Sequence, residues 1–176
     1  LTGLRQKVGN YPGVTVERKE GITYSQHGKP IRVIDLPGSY SLHPRSPDER
    51  ILVDTLLGRQ PGEKTPDAVI CLVDASNLER NLYLVTQILE LGLPVVVALS
   101  MMDIANRRGL RIDIEKLSRK LGVHVVPVEP FKDKGLIDLR LALSRTDLKR
   151  SRTPIAYHET VREAAADLGP SFQRAG

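Results

Sequence analysis

The chain has no tryptophan, one cysteine, two phenylalanines and two methionines among 176 residues, and aromatics make up only 4% of it. Any core must therefore be packed from leucine, isoleucine and valine, which the 40% hydrophobic content can supply for one globular domain with an appendage. A single thiol excludes a disulfide framework and fits a reducing compartment. Cys71 lies inside the apolar run Ala68 to Val73, where a buried structural role is expected. No apolar stretch approaches the roughly twenty residues that cross a bilayer, so the segment reads as soluble. The net charge of +5 invites nucleic acid or an anionic membrane surface as partner. Its basic residues are dispersed, however, in groups such as Arg107, Arg108 and Arg111, without interleaved aromatics. Solvated surface without nucleic-acid binding is the expectation. The chain opens on Leu1 without a start methionine or leader and closes on Phe172 to Gly176 in mid-pattern; both ends are expected to be cut points.

What is present is an alternation of strand and helix signals. Val14 to Arg18 and Ile22 to Ser25 alternate as half-buried strand, and His27 to Pro30 turns into the strand Ile31 to Asp35, an antiparallel hairpin. Ser46, Pro47 and Glu49 form the capping signature of a helix that ends at Gly58, and Ser76 with Glu79 repeats it for a helix that stops at Gly92. Wholly apolar strands are expected at Ala68 to Val73 and Pro94 to Leu99. Further on, helices are expected from about Asp113 to Leu121 and Leu136 to Leu143, flanking a strand Val123 to Val126. Apolar strands between capped helices predict an α/β, doubly wound fold: a mostly parallel sheet with one antiparallel edge hairpin and helices on both faces. After Arg145 a charged linker precedes a short amphipathic helix carrying Val161, Ala164, Ala165 and Leu168, which places a boundary near residue 150.

In such sheets ligands bind beyond the carboxyl ends of the strands. There the chain has Asp35-Leu36-Pro37-Gly38, an aspartate at a strand tip followed by a glycine turn, an arrangement that can set a carboxylate near Mg²⁺ and a backbone N–H near a terminal phosphate. By itself the motif is also an ordinary strand-end turn. Upstream, Thr15 offers a hydroxyl that can complete a Mg²⁺ shell, or is simply a β-branched strand residue. Downstream, Ser100-Met101-Met102-Asp103 follows a buried strand. Asp103 is either a helix N-cap or a carboxylate accepting the two adjacent donors of guanine's Watson–Crick edge. The order of the three signals resembles that of the P-loop GTPases.

The stretches "LTGLRQKVGNYPGVTVERKEG", "VIDLPGSYSL", "CLVDASNLERNLYLVTQILELGLPVVVALSMMD" and "LGVHVVP" resemble more narrowly the cytoplasmic G domain of the ferrous iron transport protein B (FeoB) family, from Leu1 to about Leu143. The tail is similar to the start of that family's helical spacer domain. The resemblance implies a G domain over residues 1–149, without its N-terminal strand and phosphate loop, and a truncated spacer over 150–176. It further implies a first switch at Gly13, Val14, Thr15, Val16 and Glu17, with Thr15 on Mg²⁺. A second switch follows at Asp35, Leu36, Pro37 and Gly38, with Asp35 reaching Mg²⁺ through water. The base element is Ser100, Met101, Met102 and Asp103. The implied cofactors are GTP or GDP with Mg²⁺, and K⁺ as a monovalent cation. Slow hydrolysis would couple through the spacer to a transmembrane Fe²⁺ channel, at the cytoplasmic face of the inner membrane and in an oligomer of the full transporter. The alternatives are a scaffold with impaired nucleotide binding and, more weakly, a ribosome-assembly GTPase.

Four departures qualify the resemblance. The loop G-x-x-x-x-G-K-[ST] is absent, and the chain is expected to open in the end of the helix that follows it. Ser100 replaces the usual asparagine, and Glu129-Pro130-Phe131-Lys132 replaces a small serine loop, with proline offering no amide hydrogen. Ser39 stands where Ras-like enzymes carry a water-orienting glutamine.

Overall fold

A computed structural model describes residues 6–11 and 14–144. The helix expected at Leu1, the whole tail beyond residue 144, and Gly13 of the first switch lie outside those residues. Within them the chain runs β1 (Gln6–Asn10), β2 (Glu17–Tyr24), β3 (Pro30–Asp35), α1 (Pro47–Leu56), β4 (Val69–Asp74), α2 (Leu78–Glu90), β5 (Val95–Ser100), α3 (Met102–Arg107), α4 (Ile114–Leu121), β6 (His124–Pro127) and α5 (Leu136–Ser144). The strands form two three-stranded sheets, β1-β2-β3 antiparallel and β4-β5-β6 parallel. Among the described residues β3 pairs only with β2, and β4 only with β5, so each sheet keeps an open edge.

The parallel sheet forms the core. Every residue of β5 is buried, with Val96, Val97 and Leu99 at 0% exposure, because helices cover both of its faces. Strand alternation sends Cys71, Val73, Val95, Val97 and Leu99 into one cluster with Leu52 and Leu56 of α1 and Val85, Ile88 and Leu89 of α2. It sends Val96, Ala98 and Val126 to the other face, against Leu139 and Ala142 of α5. Leu72, on that second face beside Ala98, is nevertheless 67% exposed. No described helix is long and apolar enough to cross a membrane.

Several expectations need correction. The two alternating stretches at the hairpin are one strand, β2, which starts at Glu17; Val14 to Val16 stay in the loop before it. The sequence analysis missed β1 altogether, because the run from Gln6 to Asn10 has one apolar side chain and is held by its ladder to β2. The capping box of α1 is half formed. Ser46 accepts the Glu49 amide at 3.2 Å, but the Glu49 carboxylate reaches past the cap to the Arg45 amide at 2.7 Å. The second capping box does not form. Asp74 takes both the amide and the hydroxyl of Ser76 at 2.8 Å, winding a 3-10 turn over Ala75–Asn77, and α2 starts at Leu78 with no side-chain cap.

Candidate functional site

Thr15 and Asp35 lie at the same end of the antiparallel sheet. The register pairs Lys19 with Asp35, so the tip of β3 stands beside the start of β2, two residues after Thr15. Both residues are exposed. The loop that carries Thr15 is closed by the Tyr11 amide donating to the Val16 carbonyl at 3.0 Å, and Tyr11 is the anchor beneath it. Its ring is 2% exposed, and its hydroxyl donates to the backbone carbonyl of Asp35 at 3.2 Å. The loop carrying Thr15 is thereby bonded to Asp35. Burial raises the Tyr11 pKa, and the nearby Arg18 guanidinium partly offsets that rise. Arg18 lies 5.8 Å from the Tyr11 ring and pairs with Glu20 at 2.8 Å and with Glu63. Glu63, whose side chain is only 5% exposed, also takes Arg32 of β3. The loop after α1 is thus clamped to the hairpin by one carboxylate between two guanidiniums.

Sequence reasoning missed Tyr11, Arg18 and Glu63. The usable signal was the scarcity of aromatics: among the four described tyrosines, Tyr11 alone is fully buried.

No group of three or more His, Cys, Asp or Glu side chains converges among the described residues. Among the described residues, the Thr15 hydroxyl and the Asp35 carboxylate make no hydrogen bond or ion pair. Two hard, uncommitted oxygens suit a cation such as Mg²⁺, which keeps several waters and takes only one or two protein ligands. Thr15, but not Asp35, lines an open hollow together with Asn10, Tyr11, Val14, Val16, Pro47 and Asp48. Leu36 packs against the main core, and Gly38 is exposed, with no neighbour within 4 Å of where a Cβ would stand. Ser39 is committed elsewhere: its hydroxyl donates to the Ser41 carbonyl at 2.8 Å and approaches Glu49 at 3.4 Å.

Ser100 to Asp103, the expected base element, stand at the carboxyl end of the parallel sheet. Ser100 is buried, and its hydroxyl donates to the Val73 carbonyl at 3.1 Å, tying the end of β5 to β4. It braces the sheet and does not face outward. Met101 takes a left-handed conformation at φ 58°, the abrupt turn that starts α3 one residue later. Asp103 is consequently inside the first turn of α3, which removes the N-cap alternative. Its carboxylate, 54% exposed, accepts from Arg107 at 3.0 Å, the helical i,i+4 spacing. Beyond β6, Glu129 bridges to Lys134 and pairs with Lys132 at 2.6 Å, which holds its carboxyl below the usual range. Phe131 points fully into solvent, so its ring neither stacks on nor obstructs the base element. Cys71 is buried as expected, which pushes its thiol up to about 12 and leaves it inert.

A three-stranded parallel sheet covered by helices, with exposed polar groups grouped at strand ends, makes this an α/β domain of the doubly wound, ligand-binding class. The model of the family "ferrous iron transport protein B" matches residues 1–143, and the chain belongs to that family. Among curated relatives, the Fe(2+) transporter FeoB of Salmonella typhi is 48% identical over 176 residues, and that of Escherichia coli K12 is 43% identical over 172. These alignments cover 98% and 96% of this chain but only 22% of each relative. The chain thus spans about a fifth of their length. Among solved structures, the cytosolic domain of L. pneumophila FeoB is 40% identical, with a TM-score of 0.83 over 100% of this chain and 68% of that one. The cytosolic domain of T. maritima FeoB, crystallised in a GMPPNP form and in GDP forms, is 36% identical in the first. It aligns there with a TM-score of 0.80 at the same two coverages.

Proposed function

We propose that this chain is the guanine-nucleotide-binding regulatory domain of a ferrous iron membrane transporter, in which slow GTP hydrolysis moves the two switch segments. The observation that carries the reading is the pair of open oxygens, Thr15 and Asp35, bonded through Tyr11 into one unit at a strand end. The T. maritima relative, solved with both a diphosphate and a triphosphate analogue, supports it. Thr15 and Asp35 would hold Mg²⁺, the latter through water; the ion would supply charge neutralisation at the phosphates, with K⁺ as a further cation. Gly13 to Glu17 respond as the first switch, and Asp35 to Gly38 as the second, the Gly38 amide facing the terminal phosphate. Asp103 reads the guanine edge once it exchanges Arg107 for the base. The open edges of β3 and β4 suit a further parallel strand carrying a G-x-x-x-x-G-K-[ST] loop, which would unite the two sheets into a G domain over residues 1–149. Residues 150–176 begin a helical spacer leading to a transmembrane iron channel. The domain then works at the cytoplasmic face of the inner membrane, within an oligomer of the full transporter.

A scaffold with impaired nucleotide binding is the second reading. It is favoured by the commitment of the Ser100 hydroxyl to Val73 and by the missing amide hydrogen at Pro130. Titrating labelled GDP and ADP against the full-length protein carrying this chain separates the two. The switch reading expects a clear GDP preference that collapses in Asp103→Asn, and tighter GDP binding in Ser100→Asn. No GDP binding by the parent or by Ser100→Asn would establish the scaffold.

A further inference from the structure

The stretch "DASNLERNLYL" carries more polar residues than a helix needs, and none of the nucleotide contacts above accounts for Arg80. In the structure Arg80 lies in the first turn of α2, and its guanidinium stands 3.7 Å from the centroid of the Tyr40 ring. Two turns further along the same helix, Gln87 accepts the Leu42 amide at 2.8 Å. Residues seven apart share a helix face, so these two groups form a single strip on α2. Tyr40 and Leu42 flank Ser41 in the segment that leaves Gly38. Leu42 also packs against the main core. On its other side the segment is tied to α1, through Ser39 and through the Arg45 amide on Glu49. The Tyr40 ring is half exposed, so its place is not dictated by burial. A planar cation on its face is the specific contact that fixes it.

We propose that Arg80 and Gln87 are positioning residues that latch the chain after the second switch onto α2, so that the Asp35–Gly38 turn is set by this helix face. The latch rests on the nucleotide-switch reading above and extends it: α2 becomes the element that senses and constrains the second switch. Neither residue belongs to the nucleotide contacts proposed above. Their effect therefore falls on the rate of turnover and not on the affinity for the base. Tyr40 contributes a ring face and needs no hydroxyl.

Two measurements on the full-length protein test this. In the nucleotide-free state, hydrogen exchange at the Leu42 amide should accelerate about tenfold in Gln87→Ala, and exchange over Tyr40 to Leu42 should rise in Arg80→Ala. In GTP turnover, Arg80→Ala and Tyr40→Ala should each lower kcat about two- to fivefold, with KM and the GDP affinity unchanged. The double variant should be no worse than either single one, and Tyr40→Phe should retain the parent rate. Unchanged exchange in both variants would overturn the latch while leaving the switch reading intact. Additive losses, or a raised KM at constant kcat, would overturn the positioning role. A parent protein that turns over no GTP removes the positioning role together with the switch reading, and the exchange result then stands on its own for the physical latch.

Discussion

The two sheets of this domain are built on different physics. In the parallel sheet β5 is buried along its whole length and its neighbours send alternate side chains into two apolar clusters, so its stability is hydrophobic and its geometry close-packed. In the antiparallel sheet most of β2 and β3 is only partly buried, and Val8, Ile22 and Tyr24 are more than half exposed. One buried tyrosine ties its strand ends to each other, and one carboxylate of the loop after α1, between two arginines, ties it to the rest. On the proposed function, Ser100 to Asp103 would read the base from the first sheet, and the segments at Thr15 and Asp35 would act as switches on the second. A rigid support for the one and a polar, exchangeable support for the other would suit a nucleotide-driven conformational change.

That contrast is broken most severely on the hydrophobic side. Leu99→Ala removes a side chain at 0% exposure beside Ser100, and the cavity should cost about 2–5 kcal/mol of unfolding free energy by denaturant titration. Its loss should be insensitive to salt. On the polar side, Glu63→Gln keeps the shape but strips the charge that holds Arg18 and Arg32. Arg32 is half exposed and its pair correspondingly screened, so a smaller loss of about 1–2 kcal/mol is expected. Here the difference from the parent should shrink as KCl rises towards 1 M, where the screening length falls to about 3 Å. Equal salt dependence in the two variants would remove the distinction between the sheets.

The parallel half was legible in the sequence because hydrophobic burial writes itself as local pattern. Unbroken apolar runs gave β4 and β5, and the helix expected from about Asp113 is α4, which Asp113 caps by accepting the Lys116 amide at 2.8 Å. The antiparallel half was legible only in part. Strand β1 is made by its pairing partner, and a ladder between distant segments leaves little trace in composition. The candidate site divides the same way. Thr15, Asp35 and Asp103 could be picked out by their order along the chain. The Tyr11 bond to Asp35 and the Glu63 clamp join residues 24 and 45 positions apart, so no window of sequence contains them. The tie between Ser100 and the Val73 carbonyl also spans distant positions, because a hydroxyl at the end of a buried strand finds the neighbouring strand's carbonyl.

The finest test of the polar support is Tyr11→Phe, which keeps the buried ring and deletes only the hydrogen bond to the Asp35 carbonyl. At neutral pH this should cost about 1 kcal/mol. Its pH dependence carries the sign. Burial raises the folded-state pKa of Tyr11 above its ordinary value of 10.0, so the folded protein holds this proton more tightly than the unfolded chain. The stabilisation is then fully present below pH 10 and is lost as pH climbs through the raised value, since an ionised phenolate in that position is poorly solvated and can no longer donate. Cys71 titrates in the same alkaline range, its thiol pushed up to about 12, but it is common to both proteins and cancels in their difference. The stability gap between parent and Tyr11→Phe should therefore be constant from pH 7 to 9 and close above pH 10. No gap between the two proteins at neutral pH would show that the tyrosine contributes packing alone, and that the loop carrying Thr15 is not joined to Asp35 through its hydroxyl.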